Sequence, residues 1–522
     1  MKLVFRLLVL AVLFASCGKE EQRPNIIFIM SDDHTTAAIG AYDGTYKDIA
    51  PTPNIDRIAN EGVQLNNTYC TNAICGPSRA AILTGKYSHV NGFYKNEGGG
   101  DFDGTQQTFP KILQKAGYQT AVIGKWHLGS VPTGFDYSKV MINHGGQGTY
   151  FNTVYLENGK DTIRESKHTT TQVTDDALKW LKSSRDKNKP FMLMYQFKAP
   201  HRPWEPDPKY KDLFEDMEIP EPESFNDNWE GRPAMADNWQ RIDLNLNPRD
   251  LKVKAPEGLS KKEEKKFLDL GNNNEQWSPD TLKYPLESQE LKKWKFQRYI
   301  KDYLKCIVGV DEQIGRVLDY LDKSGLADNT IVVYTSDQGF YIGEKGLFDK
   351  RFMYEESSKM PFVIRYPEKL KKGKNNNVIS NIDFAPTLLD FAGVDIPADI
   401  QGKSFKKILT EGEDDKWRDS YYYHYYEFPF WHHIQPHYGI RTNKYKLIHY
   451  YYSMDVWELY DLENDPKEMN NIYSESNKEL IEELKTELKQ LQKEYKMDKS
   501  LDELKAMTDA RIMRRHNLVK VQ

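Results

Sequence analysis

Cysteine is scarce. Four in 522 residues, Cys17, Cys70, Cys75 and Cys306, cannot staple a chain of this length as small secreted domains are stapled. A surplus of one charge sign is also lacking: 72 basic and 77 acidic side chains leave a net −5. That excludes a general field for holding nucleic acid, and no nucleic-acid partner is expected. No apolar run reaches the roughly 20 residues that a membrane-spanning helix needs, and a mean hydropathy of −0.73 excludes a polytopic membrane protein. What is present, 39% hydrophobic and 12% aromatic residues, suffices to bury a sizeable core. The length predicts one large domain and a smaller one.

Lys2 and Arg6 precede a short apolar run, Leu7 to Phe14, in the manner of a cleavable signal peptide spanning 1–16. It ends in Leu13-Phe14-Ala15-Ser16-Cys17, which resembles the lipobox of bacterial lipoproteins, where the cysteine is acylated after cleavage. Gly18-Lys19-Glu20-Glu21 is similar to the short acidic signal by which some bacteria export lipoproteins to the outer face of the outer membrane. The resemblance implies lipidation at Cys17, a tether over 17–24 and a cell-surface position held by a lipid anchor in the outer membrane. A periplasmic or secreted protein is the alternative.

Asn25 to Met30 (NIIFIM) is a continuous apolar run of strand length, as in a strand buried on both faces. Similar runs occur at Thr120–Ile123, Phe191–Tyr195, Ile331–Tyr334 and Phe362–Ile364. Between them, helical segments at Asn54–Glu61, Phe109–Ala116 and Gln297–Ser324 each stop at a glycine, Gly62, Gly117 and Gly325. This alternation predicts an α/β domain over 25–402, a mainly parallel sheet flanked by helices. Within it, 205–294 is rich in Pro, Asn, Trp and charge and reads as a surface excursion. From 403 to 522 aromatic, strand-prone segments and a final helix carrying Leu480, Leu484, Leu488, Leu491 and Tyr495 predict a small antiparallel sheet with a helix packed on it. Cys306 falls in a run of helical period and is expected to be a small buried hydrophobe.

Asp32 and Asp33 end the first strand, at the edge where open α/β sheets hold their ligands. Asp337 and Gln338 follow another strand. Together these four form an all-oxygen set suited to a hard divalent cation. Taken alone, either pair reads better as solvated loop-start acids capping helices than as a metal site.

The segment Cys75-Gly76-Pro77-Ser78-Arg79, continuing into Ala80-Ala81-Ile82-Leu83-Thr84-Gly85, resembles the maturation signature of the type I sulfatases, in which a C-x-P-S-R cysteine is oxidised to formylglycine. Other elements follow in the family's order: Gly124-Lys125-Trp126-His127, Ala199-Pro200-His201, Asp349-Lys350-Arg351 and Asp461-Leu462-Glu463-Asn464-Asp465-Pro466. The chain departs from the family at Gln338, where Asn or His is usual, but an amide oxygen is kept. The resemblance implies the alkaline-phosphatase-like fold, sulfatase activity, a Ca²⁺ ion (Mg²⁺ as the alternative) held by Asp32, Asp33, Asp337, Gln338 and modified Cys75, and a formylglycine-generating or anaerobic maturase as partner.

A hydrated formylglycine carries two geminal hydroxyls. One attacks sulfur, and deprotonation of the other expels sulfate and regenerates the aldehyde, a cycle that a thiol cannot complete. His127 is the candidate base for the second step; the resemblance places His201 and Lys350 beside the leaving alcohol, which needs a proton or positive charge, and Lys125 and Arg79 would steady the nucleophile and the sulfate oxygens. The aromatic and basic stretch Tyr421–Thr442, with His424, Trp431, His432, His433, His437 and Arg441, offers ring faces and cations to a sulfated sugar, although such rings equally pack cores. Arg351, His432 and His433 are the substrate-binding candidates. Ser336 to Ser357 (SDQGFYIGEKGLFDKRFMYEES) resembles bacterial polysaccharide-degrading sulfatases, hexosamine 6-sulfatases and ulvan-active enzymes among them, and the expected substrate is a sulfated polysaccharide or its oligosaccharides, with ulvan as the choice. Two rival readings are a phosphomonoesterase or phosphodiesterase of the same fold and a surface lipoprotein that binds glycans without turnover.

Overall fold

A computed structural model describes residues 22–521 apart from 97–101, 273, 275 and 280–283, with side chains to residue 514. Cys17, the signal peptide and most of the tether lie outside the described residues.

The ten strands of the main sheet are, in chain order, β1 (Asn25–Ser31), β2 (Val63–Tyr69), β3 (Gln119–Gly124), β4 (Tyr137–Met141), β5 (Thr153–Glu157), β6 (Asp161–Glu165), β7 (Phe191–Gln196), β8 (Thr330–Ser336), β9 (Phe362–Arg365) and β10 (Gly373–Ser380). Across the sheet they run β10-β2-β9-β8-β1-β7-β3-β4-β5-β6. The central run β8-β1-β7-β3-β4 is parallel throughout, and the antiparallel pairings lie towards its two sides. β1 is buried along its whole length because both faces are covered. Ile26, Phe28 and Met30 enter one apolar cluster, while Ile27 and Ile29 enter the other, the period-2 alternation of a strand between two helical layers.

On the first face lie α2 (Cys75–Thr84), α3 (Phe109–Lys115) and α6 (Phe384–Phe391); on the second lie α1 (Pro53–Asn60), α4 (Thr169–Lys179) and α5 (Gln289–Lys323). α5 starts earlier than its apolar period predicts, because Ser288 accepts from the Leu291 amide at 3.1 Å and caps it. Cys306 is buried on α5. The described residues of 205–294 add no strand to the main sheet, yet Ile219, Phe225, Ile242, Leu246, Leu251 and Trp277 are buried in the second cluster. This stretch is therefore built into the body more deeply than its polar composition implies.

The C-terminal sheet pairs β11 (Ser420–Tyr425), β12 (His437–Thr442), β13 (Tyr445–Tyr450) and β14 (Val456–Asp461) antiparallel in that order. α7 (Lys478–Glu494) covers it with Ile481, Leu484 and Leu488. Alternate residues of β11 divide the work: Tyr421, Tyr423 and Tyr425 join the main core, and Tyr422 faces α7's cluster.

Candidate active site

The C-terminal ends of β1, β3, β7 and β8 deliver Asp32 and Asp33, Lys125, Lys198 and Asp337 with Gln338 to one edge of the sheet, the edge expected for ligands in an open α/β fold. Carboxylate oxygens of Asp32, Asp33 and Asp337, all buried, lie within 4.8 Å of one another. Gln338 Nε2 donates to Asp33, which aims its Oε1 elsewhere; that oxygen and Asp32 Oδ1 are buried without a hydrogen-bond partner. Three buried carboxylates brought together, one of them with an unpartnered oxygen, fit a hard divalent cation, and Gln338 would join them through its amide oxygen once the amide is turned.

The electrostatics of the three acids differ. Burial would raise Asp32, but Lys125, His201 and Arg79 hold it well below the usual carboxylate range. Burial, reinforced by Asp32, Asp337 and Asp349, pushes Asp33 up to about 8 against the pull of Lys350, whose Nζ donates to it at 2.6 and 2.8 Å. Burial and Asp32 push Asp337 up to about 6.

Cys75 opens α2, a helix buried along its whole length. Its Sγ lies within 4.8 Å of Asp32 and His201 ligand atoms. The residues after it lock the helix to the acidic edge. Ser78 Oγ donates to the Asp337 carbonyl. Arg79 reaches Asp337 Oδ2 through Nε at 3.0 Å and Nη2 at 2.9 Å, and Nη1 donates to Gln196 Oε1 at 2.8 Å and the Lys125 carbonyl at 3.0 Å. At Gly76 a Cβ would meet Asn96 Oδ1 and Phe93 Cε1 at 2.6 Å each, so no side chain fits there. Burial and the Asp32 charge push the Cys75 thiol far above its ordinary value.

Lys125 pairs with Asp32 and donates to Gln147. His201 Nδ1 donates to the Arg202 carbonyl at 2.8 Å, leaving Nε2 directed to Asp33 Oδ2 at 3.8 Å. His127 Nδ1 is buried without a partner. Burial lowers both histidines well below their usual range, so both rings are neutral at pH 7. Lys350, despite burial, is held charged by Asp33 and Asp349. Asp33, His127, Asp349 and Arg351 all have positive φ, between 54° and 100°; at roughly 1–3 kcal/mol each, the backbone strain concentrates at this site.

A cavity of about 630 Å³ opens over Cys75, His127, His201 and Lys350, within the range of small-molecule sites. Its far wall brings in Arg351, with Nη1 on Asp349 Oδ1 at 2.7 Å, and His432, with Nε2 on Asp349 Oδ2 at 3.1 Å. The third substrate candidate, His433, does not line the cavity: it stacks on Trp239 and faces Asp237 at 3.5 Å, because the turn that aims His432 inward points its neighbour outward. Others from the same stretch also serve packing. His424 stacks on Tyr426, His437 lies among Tyr423, Tyr425 and Tyr450, and Arg441 pairs with Glu355 over the Tyr69 ring. Trp431 does line the cavity and is half exposed.

Several cavity residues escaped the sequence reading. Trp239, Asn245, Arg249 and Asp250 come from the irregular 205–294 stretch, where no period or motif marks them. Lys198 carried a legible signal: it stands two residues beyond a buried strand and three before His201.

Residues 24–394 match the family described as Sulfatase, and 343–494 that described as N-sulphoglucosamine sulphohydrolase, C-terminal. The chain is 48% identical over 512 residues to an N-acetylglucosamine-6-O-sulfatase of Bacteroides thetaiotaomicron, covering 93% of this chain and 90% of that protein. It is 27% identical to an ulvan-active sulfatase of Formosa agariphila, covering 93% and 82%. The solved structure of BT4656 in complex with its substrate D-glucosamine-2-N,6-O-disulfate superimposes with a TM-score of 0.85 at 46% identity, covering 92% of this chain and 99% of that one.

Proposed function

The chain belongs to the sulfatase family, and from that premise we propose that it removes a 6-O-sulfate from a glucosamine residue of a sulfated glycan. It is an enzyme of the sulfuric ester hydrolase type with the alkaline-phosphatase-like fold. The observation that carries the substrate reading is the 48% identity, spread over nearly the whole of both chains, to an N-acetylglucosamine-6-O-sulfatase. The 27% likeness to an ulvan-active enzyme supports ulvan much less, so a glucosamine glycan replaces it as the preferred substrate.

Cys75, matured to formylglycine, is the nucleophile in this reading. The far-raised thiol of the unmodified residue supports it, since a protonated thiol is a poor nucleophile. Asp32, Asp33, Asp337 and Gln338 would hold Ca²⁺, which when bound supplies Lewis acidity and counter-charge. Arg79, pinned by Asp337 and Gln196, holds positive charge beside the nucleophile, and Lys125 does the same from β3. His127, neutral and with an unpartnered Nδ1, is suited to take a proton at the nucleophile's second hydroxyl. Lys350 keeps its charge and offsets the developing alkoxide of the leaving sugar, and His201 presents a neutral Nε2 nearby. Arg351 and His432, both braced by Asp349, would face the sugar ring.

The test is release of sulfate from defined oligosaccharides sulfated at O6, O4, O3, O2 or N of hexosamine or uronic acid, with product position determined. Selective loss of the 6-O-sulfate of glucosamine is expected. Preference for another position, or for phosphate esters, would overturn the reading. We also propose display on the outer surface through an acylated Cys17, which rests on the signal-peptide and lipobox pattern alone.

A further inference from the structure

We propose that Lys198 is a further anion-binding residue of this site, its ammonium taking an oxygen of a sulfate group carried by the substrate. The proposal rests on the sulfated-glucosamine reading above. Five cationic side chains line the cavity: Lys198, Arg202, Arg249, Lys350 and Arg351. Four already face a carboxylate. Arg202 pairs with Asp250, Arg249 with Asp269 at 2.8 Å, Lys350 with Asp33 at 2.6 Å and Arg351 with Asp349 at 2.7 Å. Among the described residues, no carboxylate oxygen comes within 4 Å of Lys198 Nζ. What it has is the Arg202 carbonyl at 3.2 Å and the Tyr150 ring centroid at 5.2 Å.

Lys198 is nevertheless 2% exposed. A buried ammonium with three donors, one of them engaged by a neutral carbonyl and with Asp32, Asp33 and Glu205 acting on it only from beyond ion-pair distance, keeps donors free for an anion. Lys295 is held in a similar way, by the Asp243 carbonyl and the Trp277 ring, but it does not line this cavity and has no ligand to meet. Lys198 sits at the end of β7, next to the peptide that carries His201, with Tyr150 and Glu205 beside it in the cavity wall. Burial, and then the neighbouring Lys125, lowers its pKa to about 8, so the side chain still carries its proton at pH 7, and a sulfate oxygen would hold that charge by a charge-assisted hydrogen bond.

The anion has two possible sources with the same chemistry, the ester sulfate being removed or a second sulfate on the same sugar. Kinetics of the matured enzyme and its Lys198→Met and Lys198→Arg variants on N-acetylglucosamine 6-sulfate and glucosamine 2-N,6-O-disulfate separate them. Loss of a buried charged partner predicts a fall of at least about tenfold in kcat/KM for Lys198→Met, with partial recovery in Lys198→Arg. A fall on both sugars assigns the contact to the ester sulfate; a fall on the disulfate alone assigns it to the second group. Less than a tenfold change on both, with the wild type active, overturns the proposal. A wild type active on neither sugar overturns the substrate reading first and this assignment with it. Should Lys198→Met fail to fold, the crystal structure of Cys75→Ala soaked with the disulfate decides: Nζ within about 3.5 Å of a sulfate oxygen upholds the assignment, and a greater separation overturns it.

Discussion

At the scale of single residues, the nucleophile is the sharpest case. A thiol that burial and Asp32 keep protonated cannot serve as the attacking group, so activity should track conversion of Cys75. Peptide mass spectrometry of active preparations is expected to show the thiol replaced by an aldehyde, and Cys75→Ala should abolish turnover with an unchanged melting temperature. Full activity from an unconverted cysteine would exclude the mechanism. The acids make a second prediction, on pH. Asp33 and Asp337 have folded-state pKa values raised to about 8 and about 6, above an unfolded value near 3.9. Their contribution is therefore fully present below about pH 4 and is lost as pH rises through 6 and 8, so without a cation the fold weakens over that window. Cation binding needs the deprotonated forms and acts in the opposite direction. The rise in melting temperature on adding a fixed Ca²⁺ concentration to chelated protein should be larger at pH 8 than at pH 5; where the ion stands at a hundredfold excess over Kd, the stabilisation is ~2.7 kcal/mol. Equal shifts at both pH values would remove the carboxylates from the metal site.

At the scale of elements, α2 imposes an order of events. Every residue from Cys75 to Thr84 is buried, and Ser78 and Arg79 are locked to Asp337, so if Cys75 is matured as proposed, the maturing enzyme would have to read the signature before the helix docks. A synthetic peptide spanning 70–85 should be converted in vitro while folded, unconverted protein resists; equal conversion would mean that the helix opens readily. The C-terminal sheet is tied to the catalytic loop by charge as well as by aromatic packing. Lys446 on β13, fully buried, meets Glu468 at 2.6 Å, Glu355 at 3.0 Å and the Met353 carbonyl at 2.9 Å, a few residues beyond Lys350 and Arg351. Removing it leaves buried Glu468 beside partly buried Glu355, which keeps Arg441 as a partner. The loss for Lys446→Met should approach about 3 kcal/mol, the lower end of the range for broken buried pairs, because Glu468, already pushed up to about 7, can neutralise itself. Denaturant titration measures this, and a change below about 1 kcal/mol would show that the apolar contacts alone hold the sheet.

For the whole molecule, the cavity joins parts distant in the chain: the acidic edge of the sheet, the irregular 205–294 stretch and the turn at Trp431 and His432. A sugar ring seated there would touch all three, whereas a small aryl sulfate would need only the sulfate pocket. Changing Trp431 or His432 to Ala should cut oligosaccharide turnover by at least about tenfold and aryl sulfate turnover far less, the pattern of lost substrate positioning. Equal losses would place both residues in the reaction machinery. Protease treatment of intact cells should remove the protein if Cys17 anchors it outside, and protection until the outer membrane is opened would assign it to the periplasm.

The sequence alone determined the parallel core, since runs such as NIIFIM have to be covered on both faces. It also marked the candidate site, because Asp32, Asp33, Asp337 and Gln338 beyond strand ends and Cys75 at the start of α2 sit in contiguous motifs that resemble one family's in their order. Periodicity located the C-terminal strands and α7 for the same reason: each is a local pattern of burial. Only the tertiary structure decided between His432 and His433, adjacent residues of identical chemistry that a turn sends to opposite sides. Only it turned a polar, aperiodic stretch into a cavity wall, and only it left Lys198 without a carboxylate while every other cation lining the cavity found one. Pairing and exposure of that kind depend on which distant segments meet, and the local pattern of side chains does not encode it.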